Sequence, residues 1–358
     1  MPKIIIATGG TGGHIFPAQY LAEELIQRGV EVLFVGGGLD TNRYFRKDRF
    51  PHRSITSHSL RGWGLFRGIL DIFRGIRECR RILEEEKPDL VIGFGSFYVF
   101  PVLVATRLKG IPYVLFEPNA VPGKVNRLFS KKALFTAVQF FSASKKLKGN
   151  SVEVQMPTAK VEKADIARAR EYFYLDAHRP TILVFGGSQG AEAINNLMAE
   201  AVVLFPPGEV PFQIIHITGK TDRAQNLRSH YEELGLKSCV KAFEEKMSLA
   251  WSAADLVICR SGAATVAEQI AYGIPALFIP FPKAADDHQT YNARFVEEAV
   301  QGGRVFAQHL LTPEKLKNEL EILLDPILQQ KMRTALAVSQ QGPQKPDLFN
   351  IILDLLRN

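Results

Sequence analysis

The stretch Lys3–Pro17, KIIIATGGTGGHIFP, decides the fold class of this 358-residue chain. Lys3–Thr8 is a short apolar run that predicts a buried strand, and four glycines follow it within six residues. Pro17–Gln27 then carries apolar residues at helical spacing, which predicts a helix that ends before Gly29. A buried strand, a glycine loop and a helix in this order are typical of the first unit of a doubly wound α/β sheet.

The same arrangement returns in the second half of the chain. Thr181–Phe185 (TILVF) predicts a strand, Gly186–Gly190 a glycine loop and Ala193–Leu204 a helix. Elsewhere short apolar runs alternate with helical patterns, which indicates parallel sheets. The further predicted strands are Glu31–Val35, Leu90–Gly93, Tyr113–Phe116, Gln213–Thr218, Leu256–Ile258 and Ala276–Ile279, and the further predicted helices are Ile69–Leu83, Val102–Leu108 and Leu348–Leu356.

Two doubly wound, Rossmann-like α/β domains that face each other across a cleft are therefore expected. The chain length suits two domains of average size. The predicted N-terminal domain covers residues 1–156 and takes back a C-terminal helix, 345–358. The predicted C-terminal domain covers residues 157–344, because Pro157 interrupts the pattern and a Gly- and Pro-rich stretch precedes the last helix.

Composition excludes several classes of protein. Hydrophobic residues make up 46% and charged residues 23%, which is typical of a globular protein and not of a disordered one. The cysteines, Cys79, Cys239 and Cys259, are odd in number and lack metal-ligand spacing, which predicts a reducing compartment, no disulfide framework and no metal site. Neither a signal-peptide layout nor a bilayer-spanning apolar run is present, so a cytoplasmic protein is expected.

Positive charge is concentrated in the first half. Residues 1–150 hold 23 Lys and Arg against 12 Asp and Glu, a net +11, whereas the whole chain carries only +7. A basic half predicts an anionic partner, which can be a nucleic acid, a phosphorylated substrate or an anionic membrane. A basic solvated surface without a partner is the alternative.

The first glycine loop, Thr8–Pro17, has the composition of an anion cradle. Glycines leave backbone amides uncovered, a helix N-terminus adds partial positive charge, and Thr11 can add a hydroxyl donor. The loop lacks the Gly-Lys-Ser/Thr of a Walker loop, and Ile15 stands where a dinucleotide loop has its third glycine. His14 follows at the start of the helix, where an imidazole can act as a base or donor, or serve only as a cap. A tight turn without a ligand is the alternative for the loop itself.

Two further clusters lie in the second half. GGSQGA, Gly186–Ala191, repeats the glycine loop with Ser188 as the hydroxyl donor. RSGAATVAE, Arg260–Glu268, opens another helix, in which Glu268 can accept both hydroxyls of a ribose or be an ordinary solvated carboxylate. A predicted polar loop, Ala285–Asn292, suits hydrogen bonding to sugar hydroxyls.

Four motifs together carry a specific resemblance to a known family: TGGTGGHIFPA, GGSQGA, RSGAATVAE and DDHQTYNA. In this order and spacing the chain resembles, over essentially its whole length, the MurG family of UDP-N-acetylglucosamine:undecaprenyl-pyrophosphoryl-N-acetylmuramoyl-pentapeptide N-acetylglucosaminyltransferases. The resemblance implies a GT-B fold and an inverting hexosyltransferase without an obligatory metal or cofactor. It further implies transfer of N-acetylglucosamine (GlcNAc) from UDP-GlcNAc to the 4-hydroxyl of lipid I, giving lipid II for peptidoglycan synthesis, cell shape and cell division.

The resemblance also implies residue roles. Thr11, Gly12 and Gly13 fall on donor-contacting positions of a loop that also faces the acceptor pyrophosphate, and Asn119 falls on a GlcNAc contact. In the second half the implied contacts are the donor phosphates for Ser188, Gln189 and Gly190, the ribose and phosphates for Ala263, Ala264, Thr265, Val266, Ala267 and Glu268, the uracil for backbone groups of Phe243 and Glu244, and the GlcNAc hydroxyls for Gln289 with His288 beside it.

The chain departs from the family pattern at four places. Glu244 replaces an apolar residue near the uracil, and Tyr98 is displaced by one position from the family's glycine-glycine-tyrosine. The family's Glu-Gln-Asn reads Glu117-Pro118-Asn119, which keeps the two polar ends. The family's Asn-Pro-Val-Arg at the domain join reads Met156-Pro157-Thr158-Ala159, so the arginine that contacts the donor is absent and Lys160 is its nearest replacement.

Catalysis requires a base, because the acceptor hydroxyl must lose its proton as it attacks the anomeric carbon. His14 is the candidate, and Glu117 is the competing one. The departing diphosphate gains negative charge, which loop amides and a helix N-terminus can stabilise.

Residues 60–83 form a basic amphipathic segment that suits an anionic membrane surface. Its arginines interleave with apolar residues, which can alternatively pack into the first domain. The candidate membrane residues are Trp63, Leu65, Phe66, Ile69, Leu70 and Phe73. Together with the resemblance, this segment implies a peripheral protein on the cytoplasmic face of the inner membrane, with cell-wall synthesis proteins as further partners.

Three other functions remain open at this point. A related GT-B glycolipid glycosyltransferase acting on diacylglycerol and a UDP-GlcNAc epimerase would share the fold. A basic nucleic-acid-binding protein would need base-stacking aromatics among its basic residues and no phosphate loops. The twin glycine loops and the polar sugar loop argue against nucleic acid as a partner.

Overall fold

The computed structural model describes residues 1–57, 65–158, 161–187, 190–206, 208–341 and 345–357. The chain divides into two compact units. Unit 1 comprises Met1–Ala159 with Lys345–Asn358, and unit 2 comprises Lys160–Gln344.

The described part of unit 1 is built on a parallel sheet of seven strands in the order β3-β2-β1-β4-β5-β6-β7. The strand order reverses direction between β1 and β4, and this switch point is where open α/β sheets bind ligands beyond the carboxyl ends of their strands. The strands are β1 (Lys3–Ala7), β2 (Glu31–Gly37), β3 (His52–Ile55), β4 (Leu90–Gly93), β5 (Tyr113–Glu117), β6 (Thr136–Val138) and β7 (Ser151–Glu153).

Helices cover this sheet, so its central strands are fully buried; Ile4, Ile5 and Ile6 have no exposed surface. The helices of this region are α1 (Gly12–Gln27), α2 (Leu65–Glu86), α3 (Phe100–Leu108), α4 (Lys124–Phe129) and α5 (Phe141–Ser144). Within the described residues, no helix combines the length and apolar character needed to cross a bilayer.

Unit 2 repeats the plan with six described strands in the order β10-β9-β8-β11-β12-β13, again all parallel. They are β8 (Thr181–Phe185), β9 (Gln213–Ile217), β10 (Ser238–Lys241), β11 (Leu256–Cys259), β12 (Ala276–Phe278) and β13 (Gly303–Val305). Both sheets are therefore doubly wound, which confirms the predicted fold class.

The helices of unit 2 include two that begin directly after the strands next to its switch point, α7 and α10. The full set is α6 (Ile166–Tyr172), α7 (Glu192–Val202), α8 (Thr221–Glu233), α9 (Met247–Ala253), α10 (Ala263–Tyr272), α11 (His288–Arg294), α12 (Pro313–Leu323) and α13 (Pro326–Gln341). A π-helical stretch, Phe295–Val300, continues α11.

The C-terminal helix α14 (Leu348–Arg357) packs against α1 in unit 1. The Arg28 guanidinium lies 5.8 Å from the centre of the Phe349 ring, and Lys345 Nζ lies 2.8 Å from Glu153 Oε1. A cation over a ring and an ion pair thus accompany the return of the chain to this unit.

Two sequence predictions need correction. The first helix begins at Gly12, not Pro17, because extended Thr11 caps it and the Thr11 carbonyl accepts from Ile15 N at 3.2 Å. The predicted polar loop Ala285–Asn292 is a 3₁₀ turn, Ala285–Asp287, followed by α11. Positive φ angles of 50° and 54° at Asp286 and Asp287 separate the two helical pieces, and a run of polar side chains hides this helix from a search for apolar periodicity.

Candidate functional site

The first glycine loop joins β1 to α1 at the switch point of unit 1. Gly10 has a φ of +86°, and its carbonyl accepts a hydrogen bond of 2.7 Å from Asn42 Nδ2. A Cβ at Gly9 would lie 2.7 Å from the Cβ of Tyr98, closer than real side chains approach each other. The glycines therefore allow Tyr98 to pack directly on the loop and fix its path.

The predicted contact residues of this loop form the first turn of α1. Thr11 and Gly13 are exposed, whereas Gly12 is buried. The first amides of a helix have no intrahelical acceptor and carry partial positive charge. This turn can therefore receive an anion.

His14 lies in the same turn and is half-buried. Its Nδ1 donates a hydrogen bond of 2.7 Å to the carbonyl of Phe94, just beyond β4. Gly95 approaches the ring so closely that a Cβ there would lie 3.4 Å from His14 Cε1. A proton held on Nδ1 makes Nε2 the basic nitrogen of a neutral imidazole.

Glu117 ends β5 and is buried, with 2% of its surface exposed. Its Oε1 accepts from both the backbone N and Nδ2 of Asn119, at 3.0 and 3.3 Å. Its Oε2 accepts from Gly123 N at 2.8 Å and from Asn126 Nδ2 at 2.9 Å. Burial, opposed by these four bonds, raises the pKa of Glu117. The carboxylate organises the loop after β5, and Asn119 is part of that loop.

His14 and Glu117, the two predicted catalytic residues of unit 1, are connected through Asn126. A Cβ at Gly95 would lie 3.3 Å from Asn126 Nδ2 and 3.4 Å from His14 Cε1. His14, Gly95, Asn126 and Glu117 thus form a continuous group at the carboxyl ends of neighbouring strands. Sequence reasoning did not identify Asn126, because a lone asparagine in a helix carries no pattern.

The second glycine loop stands between β8 and α7. Gly187 and Gly190 have φ angles of +83° and +73°. A Cβ at Gly190 would lie 2.3 Å from the Thr218 carbonyl oxygen, so only glycine fits. Ser188 and Gln189, the other predicted phosphate contacts of this loop, lie outside the described residues.

A buried hydrogen-bond network lies behind this loop, and its residues form no motif that the sequence reveals. Asn195 Nδ2 donates to the Thr218 carbonyl at 3.1 Å, and Asn195 Oδ1 accepts from His216 Nε2 at 3.0 Å. Tyr231 Oη donates to His216 Nδ1 at 2.9 Å. Burial lowers the pKa of His216 to about 3, so the ring is neutral and serves as a fixed spacer. The network sets the position of Thr218, against which Gly190 packs.

The predicted ribose and phosphate segment forms the first turns of α10. Gly262 is its extended N-cap, and Ala263 and Val266 are buried. Ala264, Thr265, Ala267 and Glu268 are partly exposed.

Glu268 has few polar neighbours. Its Oε2 accepts a hydrogen bond of 3.2 Å from Trp251 Nε1. Burial raises the pKa of Glu268 to about 7, and the Trp251 bond lowers it only in part. The carboxylate is thus ready to accept further hydrogen bonds, since each one would stabilise its charged form.

The start of α11 is tied to the start of α10. Ser261 Oγ donates to the Gln289 carbonyl at 2.8 Å, and Asn292 Nδ2 donates to the Ser261 carbonyl at 3.1 Å. Gln289 Oε1 accepts from Phe281 N at 2.9 Å. His288 is partly exposed, with Nδ1 2.7 Å from the Ala285 carbonyl oxygen. Gln289 in α11 and Glu268 in α10 therefore lie on two helices whose N-terminal ends are hydrogen-bonded to each other beyond β11 and β12.

The predicted uracil segment follows β10. Phe243 is 66% exposed, whereas Glu244 is buried and turns inward. Glu244 Oε2 lies 2.6 Å from Lys241 Nζ, and Glu244 Oε1 accepts from Lys246 N at 2.8 Å. Burial works to raise the pKa of Glu244, but these partners outweigh it and hold the pKa below its usual value. The side chain is thus occupied within the protein, which leaves the backbone as the part that can face a base.

The predicted membrane segment coincides with α2. Leu70 and Phe73 are 58% and 66% exposed, and Arg77 and Arg80 on the same helix are also exposed. Trp63 and the side chains of Leu65, Phe66 and Ile69 lie outside the described residues. Leu70 and Phe73, the two candidate membrane residues whose side chains are described, therefore belong to an exposed surface that is both apolar and basic.

In the described ranges, no group of three or more His, Cys, Asp and Glu side chains could hold a metal ion. Ala159 and Lys160, at the position of the missing arginine, lie outside those ranges.

Comparison with known proteins identifies a glycosyltransferase family along the chain. Residues 4–138 match the glycosyltransferase family 28 N-terminal domain, and residues 181–346 match the corresponding C-terminal domain. The crystal structure of Acinetobacter baumannii MurG has a TM-score of 0.80 and 31% sequence identity, and covers 100% of this chain and 99% of its own.

Two curated relatives carry the name UDP-N-acetylglucosamine–N-acetylmuramyl-(pentapeptide) pyrophosphoryl-undecaprenol N-acetylglucosamine transferase. The protein from Protochlamydia amoebophila is 40% identical over 98% of this chain and 95% of its own length. The protein from Chlamydia trachomatis serovar L2 is 34% identical over 99% of both chains. The domains, the fold and the full-length similarity agree, and the chain belongs to the MurG family of GT-B glycosyltransferases.

Proposed function

We propose that this chain transfers GlcNAc from UDP-GlcNAc to the 4-hydroxyl of undecaprenyl-pyrophosphoryl-N-acetylmuramoyl-pentapeptide, which converts lipid I to lipid II. The observation that carries this proposal is the full-length similarity to MurG relatives, together with a glycine loop at the switch point of each sheet. The reaction is an inverting hexosyl transfer that supplies peptidoglycan synthesis.

Unit 2 is assigned the donor. The second glycine loop, with Ser188, and the N-terminus of α10 receive the diphosphate. Glu268 accepts the ribose hydroxyls, and backbone groups of the Phe243–Glu244 segment receive the uracil. The inward turn of the Glu244 side chain supports this, because a carboxylate that is paired with Lys241 and Lys246 N does not cover the backbone of the segment. Gln289 reads the GlcNAc hydroxyls.

Unit 1 is assigned the acceptor and the proton transfer. The first loop, Thr11–Gly13, receives the acceptor pyrophosphate, and His14 is the base. The hydrogen bond from His14 Nδ1 to Phe94 supports this role, because it directs the basic Nε2 away from that carbonyl. Glu117 is the weaker candidate, because both of its oxygens accept hydrogen bonds inside its own loop. We assign it, with Asn119, to shaping the acceptor side.

Charge development on the departing UDP is the second requirement of the reaction. The amides of the first turn of α10 and the Gly190 end of the second loop are fixed before the substrate arrives, so they stabilise that charge without reorganising. The buried Asn195–His216 network supports this preorganisation, because it holds Thr218 against Gly190.

The exposed face of α2 is assigned to the membrane that carries the acceptor. Apolar Leu70 and Phe73 beside Arg77 and Arg80 suit an anionic leaflet. We therefore place the protein peripherally on the cytoplasmic face of the inner membrane, where cell-wall synthesis proteins would be its neighbours.

The test is UDP release with three acceptor conditions: a short-chain lipid I analogue, diacylglycerol, and no acceptor. We expect release to depend on the lipid I analogue. Release with diacylglycerol would identify a different glycolipid transferase. Release of UDP without any acceptor, or epimerisation of UDP-GlcNAc, would contradict the proposal.

A further inference from the structure

Trp251 lies between three parts of unit 2 that are assigned to the donor. It belongs to α9, directly after the Phe243–Lys246 segment, and is 1% exposed. Its ring stacks on Tyr272 at 5.7 Å with an interplanar angle of 11°. It also forms a T-shaped pair with Phe185, the last residue before the second glycine loop, with 5.6 Å between the ring centres. The packing fixes this indole on more than one side.

The polar edge of the buried ring makes one specific contact. Trp251 Nε1 donates to Glu268 Oε2 at 3.2 Å. Among the described residues, no other donor reaches this carboxylate. A buried indole N–H needs an acceptor, and a carboxylate held by a rigid donor loses rotational freedom. Trp251 therefore restricts where the Glu268 oxygens lie.

We propose that Trp251 is a positioning residue that holds Glu268 in place for the ribose hydroxyls and so sets the preference for a ribonucleotide over a deoxyribonucleotide. This inference rests on the proposed function, because it needs the nucleotide in unit 2. One lone pair of Glu268 Oε2 accepts the hydrogen bond from the indole N–H. The remaining lone pairs of the carboxylate stay available to two neighbouring hydroxyls.

The charged form of Glu268 is the one that can accept from both hydroxyls. The titratable groups near it are Cys259 and Tyr272, with Glu162 close to the tyrosine. Burial raises the pKa of the Cys259 thiol and raises the pKa of Tyr272 to about 12, so both stay neutral near pH 7. Arg260, beside Cys259, directs its guanidinium to the Ile279 and Pro280 carbonyls. Trp251 therefore supplies the hydrogen bond that favours the ionised carboxylate.

The experiment compares binding of UDP and 2′-deoxy-UDP to the full chain by calorimetry. The wild type is expected to prefer UDP about ten- to a hundredfold, since a hydroxyl bonded to a carboxylate is lost in the deoxy ligand. Trp251→Phe keeps an aromatic ring but removes the N–H, and is expected to reduce that preference to about threefold or less. Both ligands carry the same diphosphate, so protonation of the diphosphate affects both affinities equally and cancels in their ratio.

Two controls separate positioning from general packing. Tyr272→Phe retains the stacked ring and is expected to keep the wild-type ratio. In a double-mutant cycle, Trp251→Phe is expected to change the ratio no further once Glu268→Gln is present. Equal loss of UDP and deoxy-UDP affinity in Trp251→Phe, with an unchanged ratio, would contradict the proposal. A wild type that binds no UDP would instead contradict the assigned donor site.

A second measurement needs no change at Trp251. The chain has two tryptophans, so Trp63→Phe leaves Trp251 as the sole one. Its fluorescence is expected to titrate with a midpoint near the Glu268 pKa of about 7 and to lose this step in Trp63→Phe/Glu268→Gln. Saturating UDP is expected to lower the midpoint more than deoxy-UDP does. Equal shifts with both ligands would overturn the inference.

Discussion

His14 is the residue on which the proposed chemistry depends most. His14→Ala removes the imidazole that donates to Phe94 and, under the proposed assignment, leaves the acceptor hydroxyl without a base. We expect kcat to fall by about 10²- to 10⁴-fold while the dissociation constant for UDP-GlcNAc changes little. Steady-state kinetics with calorimetry on the same preparation measure both quantities. Unchanged turnover would remove His14 from the mechanism.

Glu117→Gln is the matched comparison, because it alters the competing carboxylate without changing its size. The amide nitrogen would face a donor such as Gly123 N or Asn126 Nδ2, so we expect the free energy of unfolding to fall by about 1–3 kcal/mol. The folded protein at low temperature should retain most of its turnover. A loss as large as that of His14→Ala, without loss of stability, would make Glu117 the base.

Glu268 predicts a dependence of stability on pH. Its pKa of about 7 in the folded protein exceeds the value of about 4.3 for an unfolded chain, so the folded state retains the proton between these values. Stability from this group therefore falls as pH rises through that range. Glu268→Gln removes the penalty, and we expect it to raise the melting temperature at about pH 8 by several degrees but not at about pH 4. An equal effect at both values would show that Glu268 ionises normally.

Among the elements, the proposed donor site depends most on the second glycine loop. Gly190→Ala would place a Cβ 2.3 Å from the Thr218 carbonyl at a φ of +73°, so the loop must move. We expect UDP affinity to fall at least about tenfold. Gly235→Ala is the control, because Gly235 has a φ of +65° and open space around it. It should cost about 1 kcal/mol of stability and leave UDP affinity unchanged. Similar UDP affinities for Gly190→Ala and Gly235→Ala would show that the second loop does not bind the donor.

The same elements show how far the sequence predicts the fold and site. The sequence predicts β8, Thr181–Phe185, with its observed bounds, because a buried parallel strand is a continuous apolar run between turn residues. The sequence does not predict β3, β6, β7, β10 and β13, because each has only three or four residues and polar residues interrupt its apolar run. The equally short β12 is wholly apolar and is predicted. Contacts that depend on tertiary packing, such as Trp251 with Glu268, have no sequence signal at all.

The whole molecule combines a basic first half with an apolar helix face. Arg77→Glu with Arg80→Glu reverses charge on the exposed side of α2, and we expect binding to anionic vesicles to fall at least about tenfold. Added salt should weaken wild-type binding in the same direction. Lys237→Glu with Lys331→Glu changes two exposed lysines of unit 2 and should leave vesicle binding unaltered. Equal co-sedimentation of both double variants would exclude α2 as the membrane-facing surface.

Identification of the chemical product decides whether this chain converts lipid I to lipid II. The purified chain is incubated with UDP-GlcNAc and a lipid I analogue, and the lipid fraction is analysed by mass spectrometry and by NMR of the new glycosidic bond. We expect one added N-acetylhexosamine, β-linked to O4 of the muramoyl sugar, with one UDP released for each product. Free GlcNAc, an epimerised nucleotide sugar, or a sugar linked elsewhere would contradict it.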